Sequence, residues 1–121
     1  MPNIDLEAAT RLGAITHRFE AGEKIFLQEE SAARMYLVKS GRVQIVTYGT
    51  VLENVGPGGV FGEMAIIDDA PRSAAALAVE PTEVLELDRA QFLSLIRQNP
   101  EFALTLMSVL ANRIRKMNAS L

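Results

Sequence analysis

Two charged residues nine positions apart, Glu63 and Arg72, are of the types that could bind an anionic group and a hydroxyl group of one ligand. Gly62 and Glu63 precede a segment that reads as a short helix, and the start of a helix attracts anions through its N–H groups. The turn-forming sequence at 68–71 would return Arg72 to the same place, where its guanidinium could hold a phosphate. The Glu63 carboxylate would repel a phosphate but could accept a hydrogen bond from a ribose hydroxyl. A ligand with both groups suggests a nucleotide.

These residues belong to a longer motif, which we call the cassette (residues 60–76). It contains Phe61-Gly62-Glu63-Met64-Ala65 and, after a short spacer, Pro71-Arg72-Ser73-Ala74. This arrangement resembles the phosphate-binding cassette of the cyclic nucleotide-binding domain family, which includes catabolite activator proteins, regulatory subunits of protein kinase A and cyclic-nucleotide-gated channels. A lone Gly-Glu or Pro-Arg pair would carry no information, whereas the complete motif at this spacing is specific.

The resemblance implies a role for each residue of the cassette. It implies that Arg72 holds the phosphate oxygens and that Glu63 accepts the ribose 2′-hydroxyl. It also implies that the N–H groups of Ala65 and Ala74 complete the phosphate site, and that Gly62 lets the backbone approach the sugar closely. The alternative for an isolated Glu and Arg is an exposed ion pair of little energetic value. The predicted ligand-binding residues are Phe61, Gly62, Glu63, Met64, Ala65, Arg72, Ser73 and Ala74.

Base selection rests on weaker signals. In the family, a Thr after the cassette arginine tends to accompany cyclic GMP, and Ala or Ser tends to accompany cyclic AMP. Ser73 therefore favours cyclic AMP without excluding cyclic GMP. Four apolar residues could line a base pocket or could equally be ordinary core: Val43, Ile45, Val60 and Met64.

The last helix could act as a lid over the base. By the register of the resemblance, Ile114, Met117 and Asn118 would lie nearest the purine, with Arg113 as a further candidate. The alternative is a dimer seam, because apolar residues on this helix repeat at spacings of 4-3-4-3-4, the period of a coiled-coil contact. The residues of this seam are Ala103, Met107, Leu110, Ile114, Met117 and Leu121.

The order of elements predicts an α+β fold built on an antiparallel, jelly-roll-like β-roll of about eight strands. A helix is expected at 4–16, and turn residues separate candidate strands at 24–27, 35–39, 42–48, 50–55, 60–61, 74–79 and 83–87. Asp88 and Gln91 form a plausible capping pair for a helix that ends at Gln98. Asn99 and Pro100 would start a second helix that extends to about Ser120. Its Phe102, Leu106 and Val109 would face the roll.

Length and composition exclude several function classes. The chain has 121 residues, which suits one domain divided into an N-terminal helical segment (1–18), the β-roll with its cassette (19–87) and C-terminal helices (88–121). It has no cysteine, which excludes disulfides, thiolate metal sites and cysteine nucleophiles. A net charge of −3 argues against a nucleic-acid-binding surface. No apolar run approaches the ~18 residues of a membrane span, so we expect a soluble, cytoplasmic protein.

No combination of residues predicts catalysis or a metal site. His17 is the only histidine and is expected in the link between the first helix and the roll. Asp68 and Asp69 are adjacent acids that fit a turn better than a metal site.

We therefore expect a non-catalytic sensor that binds cyclic AMP, with cyclic GMP as the alternative, and signals when its C-terminal helices close on the ligand. It needs no cofactor. No helix-turn-helix follows the last helix, so direct DNA binding is not expected, and output would pass through a homodimer at 103–121 or an unknown downstream protein. Two alternatives remain: an interaction module of the same fold that does not respond to nucleotide, and a regulatory piece of a larger channel, transporter or enzyme.

Overall fold

Twelve helices and strands are present in the part of the chain that the computed structural model describes, which is residues 6–27, 33–67, 72 and 74–119. In chain order they are α1 (Leu6–Arg11), β1 (Ile15–Phe19), β2 (Lys24–Phe26), β3 (Arg34–Ser40), β4 (Val43–Thr47), β5 (Thr50–Val55), β6 (Val60–Phe61), α2 (Met64–Ile67), β7 (Ala75–Ala78), β8 (Thr82–Asp88), α3 (Arg89–Gln98) and α4 (Glu101–Ala119).

The strands form two antiparallel sheets of four strands each. The first sheet has the order β1-β8-β3-β6 and the second has the order β2-β7-β4-β5. Strands that are distant in sequence therefore pair, as β1 does with β8 from Ile15 opposite Glu86 to Phe19 opposite Thr82. The predicted α+β class with an antiparallel roll is confirmed.

The N-terminal region differs from the prediction of one helix over 4–16. The helix ends at Arg11, and Gly13 follows it with a φ of +90°, which a continuing helix does not allow. Residues Ile15–Phe19 then form β1, so His17 lies in a strand rather than in a link. The strand was missed because it is an edge strand whose polar residues face solvent and leave little apolar alternation.

Two groups of buried side chains make up the core. One lies between the first sheet and helices α1, α3 and α4, and the other includes residues from both sheets. Phe102 and Leu106 are buried in the first group and Val109 packs against it, as predicted for α4. The buried members of the second group are Phe26, Val38, Val43, Val55, Phe61, Ala76 and Val84.

The junction between β8 and α3 is fixed by the predicted capping box. The Asp88 carboxylate accepts a hydrogen bond from the Gln91 N–H at 2.8 Å, and the Gln91 side chain accepts one from the Asp88 N–H at 2.9 Å. Asn99 ends α3, where its N–H donates to the Leu95 carbonyl, and its own carbonyl accepts from Phe102 at the start of α4. Helix α4 begins at Glu101, one residue later than predicted.

No helix among the described residues is both long and apolar enough to cross a membrane.

Candidate functional site

The first half of the cassette is a tight strand-to-helix turn. Strand β6 ends at Phe61, and the four-residue helix α2 begins at Met64. The carbonyl of Glu63 accepts hydrogen bonds from the N–H groups of Ile66 and Ile67, both at 3.0 Å. Glu63 is therefore held at the start of α2, and only 4% of its surface is exposed.

Gly62 makes this turn possible. Its φ of +75° lies in the left-handed region that side chains disfavour. A Cβ at this position would lie 2.7 Å from Nη1 of Arg72 and 3.3 Å from Cδ2 of Tyr36. We expected a glycine here because of a nearby sugar; in the structure the close neighbour is the Arg72 guanidinium.

Arg72 is buried beside Glu63, with 6% of its surface exposed. Its Nη1 donates to the Gly62 carbonyl at 2.7 Å, and its Nη2 donates to the Arg34 carbonyl at 2.8 Å. Burial raises the pKa of the Glu63 carboxyl group, and the positive charge of Arg72 is a smaller influence that opposes this rise. The structure therefore places the two charged residues of the predicted site at one location, tied to the same turn.

A third charged residue, Arg113 of α4, reaches this location. Its guanidinium forms an ion pair with the Glu63 carboxylate, and its Nη2 donates to the Val60 carbonyl at 2.6 Å. Its Nε lies 2.8 Å from Oε2 of Glu53 on β5, as an ion pair without hydrogen-bond alignment. Arg113 therefore connects α4 to β5 through Glu53 and to the start of the cassette through Val60 and Glu63.

Burial is the main influence on the pKa of Glu63. It raises the pKa of the Glu63 carboxyl group, because a buried site disfavours the charged form. The positive charge of Arg113 opposes this effect and lowers the same pKa. The proton affinity of Glu63 therefore depends on where α4 places Arg113.

The remaining predicted residues fall into different environments. Phe61, Ala65 and Ala74 are buried, whereas Met64 is exposed and is therefore not a core residue. Val43 and Val60 are fully buried in the core. On α4, Ile114 and Asn118 are exposed. Ser73, the Asp68-Asp69 pair and the side chain of Met117 lie outside the described residues.

Two features of the site were not among the predicted ligand-binding residues. Glu53 was not considered, because one acid on a strand of a β-roll carries no motif. Arg113 was considered only as a lid candidate, and the resemblance gave its register but not its partners. Its position could have identified it, because Arg113 lies on the same side of α4 as the buried residues Phe102 and Leu106.

Comparison with known proteins identifies the fold. The family model of the cyclic nucleotide-binding domain matches residues 16–99. The chain belongs to this family. The matched region extends from β1 to the end of α3 and contains the whole cassette, so the resemblance stated from the cassette motif is confirmed.

Individual relatives agree with this assignment. Over 108 residues the domain is 40% identical to the cyclic AMP receptor protein of Thermus thermophilus, covering 85% of this chain and 50% of that protein. The crystal structure of the catabolite activator protein of the same organism superposes with a TM-score of 0.81 at 36% identity, covering 97% of this chain and 58% of the other. The regulatory domain of Toxoplasma gondii PKA, co-crystallised with cAMP, superposes with a TM-score of 0.65 at 26% identity, covering 76% of this chain and 38% of the other. The chain spans about half the length of this T. thermophilus receptor protein and of a Mycobacterium tuberculosis transcriptional regulator that it also matches.

Proposed function

We propose that this domain is a regulatory sensor that binds cyclic AMP at the cassette, with cyclic GMP as the alternative ligand. The observation that supports this most directly is the burial of Glu63 and Arg72 at one turn. Charged side chains are seldom buried unless they are paired, and buried charged groups with shifted pKa values cluster at functional sites. The preference for cyclic AMP is supported by the similarity to the cyclic AMP receptor protein of T. thermophilus and to the cAMP-bound regulatory domain from T. gondii.

Each charged residue has a separate proposed role. The Arg72 guanidinium would hold the phosphate, because it can offer two parallel N–H donors to an anion. The Glu63 carboxylate would accept a hydrogen bond from the ribose 2′-hydroxyl. The N–H groups of Ala65 and Ala74 would add donors to the phosphate, and the Ser73 hydroxyl would be available to the base. The role is non-catalytic, since the family is a regulatory binding domain.

Arg113 supplies a proposed route from the ligand to α4. Because Arg113 and a ribose hydroxyl would both bind the Glu63 carboxylate, ligand binding would change the ion pair that holds α4 against the cassette. A ligand shifts the population of α4 positions only by its differential affinity for them. Ile114, Met117 and Asn118 follow Arg113 on the helix and would move with it, either as the lid over the base or as part of a contact with a partner.

The proposed output is contact with a second copy or with a downstream protein through α4. Three large apolar side chains on this helix are exposed: Leu104 at 58%, Met107 at 57% and Ile114 at 57%. At 100° per residue they lie within one sector of the helix surface, which suits a helix–helix contact. Leu110, another residue of the predicted seam, packs against the core instead.

The net charge of −3 disfavours direct DNA binding by this domain. We propose the cytoplasm, where cyclic nucleotides are made, as its location.

Ligand-dependent thermal unfolding tests the proposed function. A ligand at 100 times its Kd stabilises the native state by about 2.7 kcal/mol, which corresponds to a rise in Tm of roughly 10 °C for a domain of this size. We expect this rise with cyclic AMP and no rise with 5′-AMP, which lacks the cyclic phosphate. An unchanged Tm in millimolar cyclic AMP and in millimolar cyclic GMP would show that the domain does not bind these nucleotides.

A further inference from the structure

The guanidinium of Arg72 lies on an aromatic surface. Its Cζ is 4.0 Å from the centroid of the Phe26 ring and 5.7 Å from that of Tyr36. The two hydrogen bonds to the carbonyls of Gly62 and Arg34 lie at the edge of the same group. The carbonyls therefore restrain rotation of the guanidinium within its plane, and the Phe26 ring restrains the plane itself.

The Phe26 ring is itself held in place by two other rings. Phe26 contacts Tyr36 and Phe61, with centroids 6.0 Å apart in each case, and Tyr36 stacks on Phe61 at 5.2 Å. Phe26 is on β2 of the second sheet, whereas Tyr36 and Phe61 are on β3 and β6 of the first. This aromatic cluster (Phe26, Tyr36 and Phe61) therefore spans the two sheets directly beneath Arg72.

The orientation of the Arg72 guanidinium plane matters for anion binding. A guanidinium has five N–H donors in one rigid plane, and it meets a phosphate well only when that plane is correctly oriented. A cation over an aromatic face is also attracted to it, more strongly where water is excluded, as it is around this buried arginine. A leucine, which is apolar but smaller, would occupy most of the space under Arg72 but would offer neither a flat surface nor this attraction.

We propose that Phe26 is a positioning residue for the ligand site: its ring sets the plane of the Arg72 guanidinium and so determines the affinity for the phosphate. This inference rests on the proposed function of the cassette. It adds to that function a residue that precedes the cassette by more than 30 positions and lies on β2 of the second sheet.

Substitution of Phe26 tests the proposal through ligand affinity. We expect Phe26→Leu to weaken the binding of cyclic AMP about three- to tenfold, and Phe26→Tyr, which keeps the ring, to stay within about twofold of the wild type. Phe92→Leu is the matched control, because Phe92 is similarly buried and contacts another ring, that of Phe102, but lies in the first core group. It should lower the free energy of unfolding and leave the affinity unchanged.

A double-mutant cycle separates an effect through Arg72 from a general loss of packing. In an Arg72→Ala background, Phe26→Leu should cause no further loss of affinity, measured by competition against a fluorescent cyclic nucleotide. The same loss in both backgrounds, or an affinity of Phe26→Leu equal to that of the wild type, would overturn the positioning role and leave the proposed function standing. Absence of binding by the wild type would overturn both.

Discussion

Arg113 of α4 and Glu63 of the cassette form an ion pair between residues 50 positions apart in the sequence. The Glu63 side chain is 5% exposed and that of Arg113 is 22% exposed, so the pair lies at the inner surface of the helix. Through it, the residue proposed to bind ribose is in direct contact with the helix proposed to transmit the signal.

Arg113→Ala should destabilise the domain. It leaves the buried Glu63 carboxylate and the Val60 carbonyl without this partner, which costs about 1–3 kcal/mol. Urea unfolding at neutral pH measures the loss. Arg115→Ala is the matched control, because Arg115 is exposed on the same helix and should change the free energy of unfolding by less than about 0.5 kcal/mol. Equal stability of the two variants would argue against a structural role for the ion pair.

The same variant should uncouple α4 from the ligand site. In the wild type, we expect cyclic AMP to change the hydrogen-exchange rates of amides near Arg113 by about threefold or more. In Arg113→Ala this change should largely disappear, while affinity for the nucleotide remains measurable. An identical ligand response in both proteins would mean that the signal reaches α4 by another route.

The pH dependence of stability should reveal the buried carboxyl of Glu63. Its pKa is raised in the folded state, mainly by burial, so the folded protein binds more protons than the unfolded chain at pH values between the ordinary Glu pKa and the folded-state pKa. The contribution of this group to stability is therefore fully present below that ordinary pKa and is lost as the pH rises through the folded-state pKa. Glu63→Gln removes this term. Relative to the wild type, it should become progressively more stable between pH 4 and pH 7, as measured by urea unfolding across that range; a constant difference would contradict the raised pKa.

Two glycine variants can separate backbone strain from displacement of Arg72. Gly62→Ala and Gly49→Ala both force alanine into a positive φ, at +75° and +77°, which costs about 1–2 kcal/mol of stability. Only at Gly62 would the new Cβ meet Arg72, since nothing lies within 4 Å of it at Gly49. We expect both variants to lose stability and only Gly62→Ala to lose affinity for cyclic AMP. A similar affinity in both would show that displacing Arg72 does not affect the ligand.

The exposed stripe on α4 can be tested by sedimentation. If α4 pairs with a second copy, Met107→Asp should convert a dimer to a monomer, because it places a charge at the centre of the contact. Met107 suits this test better than Leu110, whose side chain packs against the core. A monomeric wild type at high micromolar concentration would contradict self-association through this surface.

The sequence predicted features that depend on local patterns. The capping box follows from Asp88 and Gln91 three residues apart, and most strands follow from turn residues between short apolar runs. Strand β1 was missed because its own residues do not show a clear strand pattern. Its extended conformation is stabilised by pairing with β8. The partners of Arg113 and the ring beneath Arg72 could not be predicted either, because each contact joins elements far apart in the chain and depends on how the sheets and α4 pack.

The measurement that tests the central proposal most directly is a calorimetric titration of cyclic AMP into three proteins: the wild type, Arg72→Ala and Arg97→Ala. Arg97 is an exposed arginine of α3 and controls for the loss of one positive charge. We predict saturable binding by the wild type and by Arg97→Ala. Arg72→Ala should bind about 2–5 kcal/mol more weakly, since the phosphate loses its buried charged partner, a loss of roughly 30-fold or more. Equal affinity of all three proteins would contradict the assignment of Arg72 to the phosphate, and absence of heat with the wild type would contradict nucleotide binding itself.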